Sequence, residues 1–195
     1  MVAGGAPDDP LEETTLDSTP VYDGVFLRVL RDTVRAPDGH VTVREYLQHP
    51  GAVMMIPLFD DGTVLLERQY RYPLRKSFIE FPAGKIDAGE SLLACAQREL
   101  LEETGYEAAE WIHLGGFHNA IGYCDEKIEV FVAHGLTKSR GANTDAGEVL
   151  EVFTAPWQDL LDWTRDGTVT DVKTIVGVLW LREWLERGGS PQSVR

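Results

Sequence analysis

The chain has 195 residues, of which 43% are hydrophobic and 26% charged, and this composition excludes collagen-like, fibrous and fully disordered proteins. Its 18 Lys and Arg residues stand against 32 Asp and Glu residues, so a net charge of −14 disfavours a nucleic-acid polymer as partner. No run approaches the ~18 apolar residues of a membrane span, and any anionic ligand calls for a local positive charge such as a bound divalent cation.

The first twenty residues predict a mobile acidic tail over 1–20. Five acidic residues and no Lys or Arg occur there, and Gly and Pro interrupt the stretch. The tail lacks the basic and apolar regions of a signal peptide. The two cysteines, Cys95 and Cys124, are too few for a disulfide scaffold, so we expect a cytoplasmic protein.

Strand-like patterns dominate the chain up to the first helix. A predicted N-terminal β-hairpin region spans 21–50, with its turn at 36–39. A second hairpin turns at Asp60-Asp61-Gly62 between two apolar runs. A polar segment over 68–73 and a short strand at 78–81 follow.

The second half predicts helices and strands in alternation. Helical periodicity covers 90–104 and ends at Gly105, a residue typical of the position after a helix. The other predicted elements are strands at 111–116, 127–133 and 149–153, a polar loop over 138–147, helices at 157–166 and 171–186, and a disordered tail over 188–195. This order predicts one α+β domain.

Three glutamates crowd one side of the helix predicted over 90–104. At ~100° per residue, Glu99 and Glu103 lie one turn apart on one face, with Glu102 beside them, at the edge of the apolar stripe. Crowded and partly desolvated carboxylates raise one another's pKa. A bound Mg²⁺ or Mn²⁺ removes that cost, because hard cations bind oxygen ligands. The alternative is a solvated acidic face, which is the commoner origin of such glutamates taken alone.

The residues around these glutamates complete a pattern. Arg98 comes four residues before Glu102 and eight after Glu90, so one guanidinium is placed to hold both carboxylates. Before the helix, Pro82-Ala83-Gly84 predicts a tight bend, where glycine lets the backbone approach a ligand closely.

From Gly84 to Tyr106 the spacing reads G-x5-E-x7-R-E-U-x-E-E-x-G-U, in which U is apolar. Seven fixed residues at about 7% usage each occur by chance with a probability of about 10⁻⁸ per starting position. The pattern resembles the Nudix box at every position. Members of that family hydrolyse a nucleoside diphosphate linked to a further group and use divalent metal ions.

The resemblance implies a fold, cofactors and roles. The fold is α+β, an α/β/α sandwich around a mixed central sheet over residues 51–187, with an N-terminal antiparallel sheet before it. The cofactors are two or three Mg²⁺ or Mn²⁺ ions. The implied metal ligands are Glu99, Glu103, the Ala83 carbonyl and Glu102, which is a further ligand or the base; Gly84, Glu90 and Arg98 support them.

Segments outside the box resemble the ADP-ribose pyrophosphatase subgroup, namely 69–71, 79–84 and 166–171. This likeness implies a nucleotide-sugar substrate contacted by Arg44 and Arg71, with Glu80 at its adenine or ribose end. The arginine fork suits phosphate oxygens. The alternatives are a surface ion pair for Arg71 and a structural role for Arg44 on its strand. The subgroup also implies a homodimer that exchanges its N-terminal strands.

The loop over 122–126 resembles the mobile catalytic loop of the subgroup. Glu126 matches the glutamate that activates water there, and the alternative is an exposed loop acid. Relatives usually carry Ser-Pro before the loop glycine, whereas this chain has Asn119-Ala120-Ile121 before Gly122. That proline is linked with a preference for ADP-ribose, so the exact substrate stays open.

Three functions therefore compete. The first is hydrolysis of ADP-ribose to AMP and ribose 5-phosphate. The second keeps the chemistry on another substrate, such as GDP-mannose or a dinucleotide polyphosphate. The third is a non-catalytic nucleotide-sensing module, which is disfavoured because such modules usually carry a degraded box.

Overall fold

The computed structural model describes residues 9–139, 147 and 149–189. The chain forms two compact units. The first holds the described chain up to His49 together with Ala120–Glu126, and the second holds Pro50–Asn119 and the described chain from Lys127 onward. Within the described residues, no helix has the length and apolar character needed to cross a membrane.

The first unit contains a three-stranded antiparallel sheet in the order β1-β2-β3. Its strands are β1 (Thr14–Asp23), β2 (Arg28–Arg35) and β3 (Val41–Gln48). The turn at 36–39 joins β2 to β3, as the sequence predicts, with Gly39 at a φ of 89° and a hydrogen bond from its N–H to the Ala36 carbonyl. This hairpin and the antiparallel N-terminal sheet are present as expected.

The predicted tail over 1–20 is wrong from Thr14 onward, because Thr14–Asp23 forms β1 and pairs with β2. All ten residues of β1 are exposed. A strand with no buried face shows no apolar alternation, and the sequence pattern therefore gives no signal for it. Residues 1–8 lie outside the described residues.

The second unit is built on a seven-stranded sheet in the order β10-β5-β4-β9-β8, with β6 beside β5 and β7 beside β4. The β4–β9 pair is parallel and the other pairs are antiparallel, so the sheet is mixed as predicted. The strands are β4 (Ala52–Leu58), β5 (Thr63–Arg71), β6 (Lys76–Glu80), β7 (Ala83–Lys85), β8 (Tyr106–His118), β9 (Lys127–Lys138) and β10 (Leu150–Pro156), and the helices are α1 (Leu92–Thr104), α2 (Trp157–Asp166) and α3 (Val172–Glu186).

Helices cover both faces of this sheet, which explains the continuous apolar run of β4. Val53 and Met55 point to the face where they pack with the buried stripe of α1. Met54 and Ile56 point to the opposite face, in one core cluster with buried residues of α2 and α3. A strand buried on both faces needs apolar residues at every position. The predicted α/β/α sandwich is therefore confirmed.

Two predicted segments differ from the structure, and a third lies mostly outside the described residues. Strand β5 continues into the segment predicted as polar over 68–73 and ends at Arg71, because its last residues pair with β6. Strand β9 extends to Lys138, into the predicted loop over 138–147, and 140–146 lie outside the described residues. Of the predicted tail over 188–195, Gly188 and Gly189 follow α3 and 190–195 lie outside the described residues.

Candidate active site

The ends of α1 are fixed by local sequence. The Ser91 hydroxyl accepts a hydrogen bond from the Ala94 N–H at 3.2 Å and caps the first turn. Gly105 takes the left-handed conformation at a φ of 76°, and its N–H donates to the Leu101 carbonyl. The fully buried stripe of the helix packs on the sheet. These constraints set the rotation of α1 and hence the direction of its glutamates.

Arg98 is the centre of a charge network on α1. Its Nε and Nη2 donate to the two carboxylate oxygens of Glu90, each at 2.9 Å. Its Nη1 donates to Glu99 Oε1 at 2.8 Å and to Glu102 Oε2 at 3.2 Å. Nη2 also donates to the Lys85 carbonyl at 3.2 Å. One guanidinium therefore holds three carboxylates that would otherwise repel one another.

Glu103 and Glu99 lie against the short strand β7. Glu103 is 5% exposed, and its Oε2 accepts a hydrogen bond from the Ala83 N–H at 3.1 Å. A Cβ atom at Gly84 would stand 1.9 Å from Glu99 Cδ. Only glycine at position 84 therefore lets the Glu99 carboxylate lie on the strand backbone.

The donor chemistry of this cluster fits a hard divalent cation. The carboxylates of Glu99, Glu102 and Glu103, together with the Ala83 carbonyl, offer oxygen atoms only. Glu99 and Glu102 direct oxygen atoms to Arg98, and among the residues that the structure describes no three acidic, His or Cys side chains are gathered as a metal-ligand set. The carboxylates of Glu99 and Glu103 nevertheless lie beside the same stretch of backbone, Glu99 against Gly84 and Glu103 against the Ala83 N–H.

A second charge cluster links β5, β6 and α3. Arg71 donates from Nε to Glu80 Oε1 at 2.8 Å and from Nη2 to Glu80 Oε2 at 2.7 Å. Glu80 is 2% exposed and also accepts a hydrogen bond from Lys173. These two cations hold the pKa of Glu80 below its usual value although burial alone would raise it. The Arg71 side chain is 41% exposed, so it is accessible to solvent while its guanidinium is bound to Glu80.

Two family models match this chain. The NUDIX domain matches residues 48–174, and the nucleoside diphosphate sugar hydrolase N-terminal domain matches residues 13–47. The chain belongs to the NUDIX family. The resemblance based on residues 84–106 is thereby confirmed, and members of this family generally use divalent metal ions.

Similar proteins support the same assignment. A methanol dehydrogenase activator of Bacillus methanolicus is 35% identical over 88% of this chain and 93% of its own length. An ADP-ribose pyrophosphatase of Bacillus subtilis is 33% identical over 88% of this chain and 94% of its own length. A crystal structure of an ADP compounds hydrolase aligns with a TM-score of 0.83 at 26% identity, covering 94% of this chain and 99% of that one.

Two predicted site residues of this NUDIX protein belong to the first unit. Arg44 forms an ion pair with Glu13, at 3.0 Å from its Nε to Glu13 Oε2, and its side chain is 49% exposed. Glu126 lies with its Oε1 at 3.6 Å from His49 Nδ1, and its side chain is 18% exposed. The loop over 120–126 is held to the end of β3 by hydrogen bonds from the Leu47 N–H to the Tyr123 carbonyl and from the Asp125 N–H to the Leu47 carbonyl.

The structure adds residues that sequence reasoning missed. His49 contacts Glu126, and Lys173 contacts Glu80. Neither pair is close in sequence, so no local spacing indicated them. The one available signal for Lys173 was Asp171, which lies at the start of the last predicted helix. It indicates that Lys173 belongs to the first turn of that helix.

The Arg98–Glu90 pair predicts a dependence of stability on pH. The guanidinium lowers the pKa of Glu90 from 4.5 to about 2. Because the pKa is lowered in the folded state, the pair stabilises the fold above about pH 4.5, and this contribution is lost as the pH falls toward about 2. We expect Arg98→Met to flatten the fall of the unfolding free energy over that range, measured by urea titration in EDTA.

The matched control for this measurement is Arg165→Met. Arg165 is an exposed arginine in an i,i+3 ion pair with Asp162 on α2. We expect this variant to keep the wild-type acid dependence, because exposed ion pairs contribute little to stability. Parallel curves for Arg98→Met and the wild type between pH 4.5 and 2 would contradict the assignment.

Proposed function

We propose that this protein is a metal-dependent nucleotide-sugar pyrophosphatase that hydrolyses ADP-ribose to AMP and ribose 5-phosphate. The observation that carries the proposal is the cluster between α1 and β7. There Arg98 binds the carboxylates of Glu99 and Glu102, and the absence of a side chain at Gly84 leaves room for Glu99 beside the strand backbone. The choice of substrate is supported by the match of residues 13–47 to a domain of nucleoside diphosphate sugar hydrolases, and by the similarity to the ADP-ribose pyrophosphatase of B. subtilis.

In this proposal, Glu99, Glu103 and the Ala83 carbonyl hold the cation, with Glu102 as a further ligand or as the base. When bound, two or three Mg²⁺ or Mn²⁺ ions would neutralise the charge of the pyrophosphate and orient the attacking water. Gly84 keeps the backbone open, and Arg98 with Glu90 fixes the ligand side chains. Ordered neighbours of this kind hold ligands in their binding geometry.

The proton and the substrate are handled by residues outside the cluster. Glu126 accepts a proton from the attacking water in this proposal. Arg71 and Arg44 pair with phosphate oxygens, for which the guanidinium fork is suited. The Glu80 carboxylate, which is buried against Arg71 and Lys173, orients Arg71 in this scheme. Its contact with the adenine or ribose end of the substrate stays a prediction.

Hydrolysis of ADP-ribose is tested with a substrate panel. ADP-ribose, GDP-mannose and a diadenosine polyphosphate are incubated with the protein in Mg²⁺, Mn²⁺ or EDTA, and products are identified by chromatography. We expect AMP and ribose 5-phosphate from ADP-ribose, with kcat/KM at least about tenfold above the other substrates, and no product in EDTA.

The outcomes of the panel separate the competing functions. Preference for GDP-mannose or the dinucleotide keeps the chemistry and changes the substrate, which Asn119-Ala120-Ile121 in place of the usual Ser-Pro leaves open. Nucleotide binding without turnover indicates a sensing module. Neither result is compatible with the proposal as stated.

We also propose a homodimer that uses the N-terminal sheet. Apolar side chains stand exposed on its strands, with Tyr22 at 56%, Val41 at 58% and Val43 at 50%. Sedimentation is expected to give twice the 21.7 kDa chain mass. A cytoplasmic location also stays a prediction, and the free thiols of Cys95 and Cys124 are consistent with a reducing compartment.

A further inference from the structure

The buried cluster around Glu80 contains a cation that the proposed chemistry does not use. Lys173, in the first turn of α3, is 9% exposed, and its Nζ donates to Glu80 and, at 3.0 Å, to Asp171 Oδ2. Buried lysines are rare unless their charge is paired, because removing an ammonium from water is costly. A buried lysine that is paired in this way restricts the orientation of the carboxylate that it binds.

The position of Lys173 is fixed from two sides. Asp171 Oδ2 accepts hydrogen bonds from the Thr174 N–H at 3.0 Å and from the Thr174 hydroxyl at 2.7 Å, which caps α3. The same hydroxyl accepts a hydrogen bond at 3.0 Å from the N–H of Phe81, the residue after β6. The first turn of α3 is therefore tied to the end of the strand that carries Glu80.

Glu80 in turn fixes Arg71. Among the described residues, the ion-pair partners of Glu80 are Arg71 and Lys173. Both cations bind Oε2, while Oε1 binds Arg71 Nε. A carboxylate held by a second cation cannot rotate freely, so the two-point pair with Arg71 keeps one orientation. Glu67, 1% exposed and opposite Glu80 across β5 and β6, places a further carboxyl group in the same buried region.

We propose that Lys173 is a positioning residue for substrate binding, which holds Glu80 so that Arg71 presents its guanidinium to a phosphate oxygen of the substrate. This inference rests on the proposed function, because it requires Arg71 to bind the pyrophosphate. Lys173 itself touches no substrate in this scheme. Its removal therefore weakens binding and leaves the chemical step in place.

The test compares Lys173→Met, Lys173→Arg and the wild type in the hydrolysis of ADP-ribose. We expect KM to rise about tenfold in Lys173→Met with kcat within about threefold, because the lost interaction acts on binding. Lys173→Arg keeps the charge and is expected to restore most of the wild-type KM. Lys138→Met, which removes an exposed lysine at the end of β9, is the control expected to match the wild type.

An Arg71→Met background separates positioning from general stability. If Lys173 acts through Arg71, Lys173→Met has no further effect on KM in that background, whereas independent sites give additive effects. Equal KM values for Lys173→Met and the wild type, additive effects, or a loss of kcat that Lys173→Arg does not rescue each overturn the proposal. If Lys173→Met does not unfold cooperatively, Lys173→Gln replaces it, with the same KM rise expected.

The experiment distinguishes a failure of the proposed function from a failure of the positioning role proposed for Lys173. If the wild type prefers another nucleotide sugar, the KM for that substrate is compared across the same variants. If it binds ADP-ribose without turnover, the Kd from calorimetry replaces KM, and a Kd unchanged in Lys173→Met overturns the positioning role. A wild type that binds no nucleotide sugar overturns both proposals, since Arg71 then has no phosphate to bind.

Discussion

Replacing Glu103 with glutamine is expected to lower kcat for ADP-ribose at least about 1000-fold, a loss of about 4 kcal/mol in transition-state stabilisation. Glu103 is 5% exposed and accepts a hydrogen bond from the Ala83 N–H. The glutamine amide has the same size, and its oxygen can accept the same hydrogen bond. The fold is therefore expected to be retained, while the negative charge that holds a divalent cation in the proposed site is lost.

Three measurements check this expectation. Turnover is followed in Mg²⁺, Mn²⁺ binding to the protein is followed by electron paramagnetic resonance without substrate, and thermal unfolding reports the fold. Glu110→Gln is the matched control, because Glu110 is an exposed glutamate on β8 in the same unit. Retained Mg²⁺-dependent turnover in Glu103→Gln would refute the role of Glu103 as a metal ligand.

The parts of the site that could be predicted from sequence are those built from local spacing. Arg98, Glu99 and Glu102 lie within about one turn of a helix, so their mutual contacts follow from helical geometry. The end of α1 was predictable at Gly105 for the same reason, since a left-handed residue there closes the last turn. The apolar run of β4 was likewise visible in the sequence, and the structure shows that it is buried on both faces of the sheet.

The parts that could not be predicted depend on contacts between distant segments. Glu80 and Lys173 are 93 positions apart, and their ion pair exists only because the first turn of α3 is tied to the end of β6. The resemblance to the ADP-ribose pyrophosphatase subgroup implied a substrate contact for Glu80, and nothing in the local sequence indicated its second partner. Arg44 and Glu13 show the same limitation, since Glu13 lies in the stretch predicted as a mobile tail.

Gly84→Ala is expected to abolish most activity without destabilising the protein. A Cβ atom at position 84 would stand 1.9 Å from Glu99 Cδ and 2.3 Å from Cγ, so the Glu99 side chain must leave the backbone. We expect kcat to fall at least about 100-fold and Mn²⁺ binding to weaken. Because alanine is favoured over glycine in a strand by roughly 0.5–1 kcal/mol, the unfolding free energy is expected to stay close to that of the wild type.

The chain offers a matched control for this variant in the same row of the sheet. Gly84 pairs with Val53, Val53 with Glu129, and Glu129 with Gly116. A Cβ atom at Gly116 would stand 2.6 Å from Glu129 Oε2, so Gly116→Ala also displaces a carboxylate from a strand backbone. Glu129 is bound by Lys127 and His113 and has no role in the proposed metal site, so Gly116→Ala is expected to keep kcat within about threefold.

Equal losses of kcat in both variants would mean that any disturbance of this row disrupts the enzyme. A selective loss of kcat and Mn²⁺ binding in Gly84→Ala would instead show that the opening at Gly84 serves the Glu99 carboxylate.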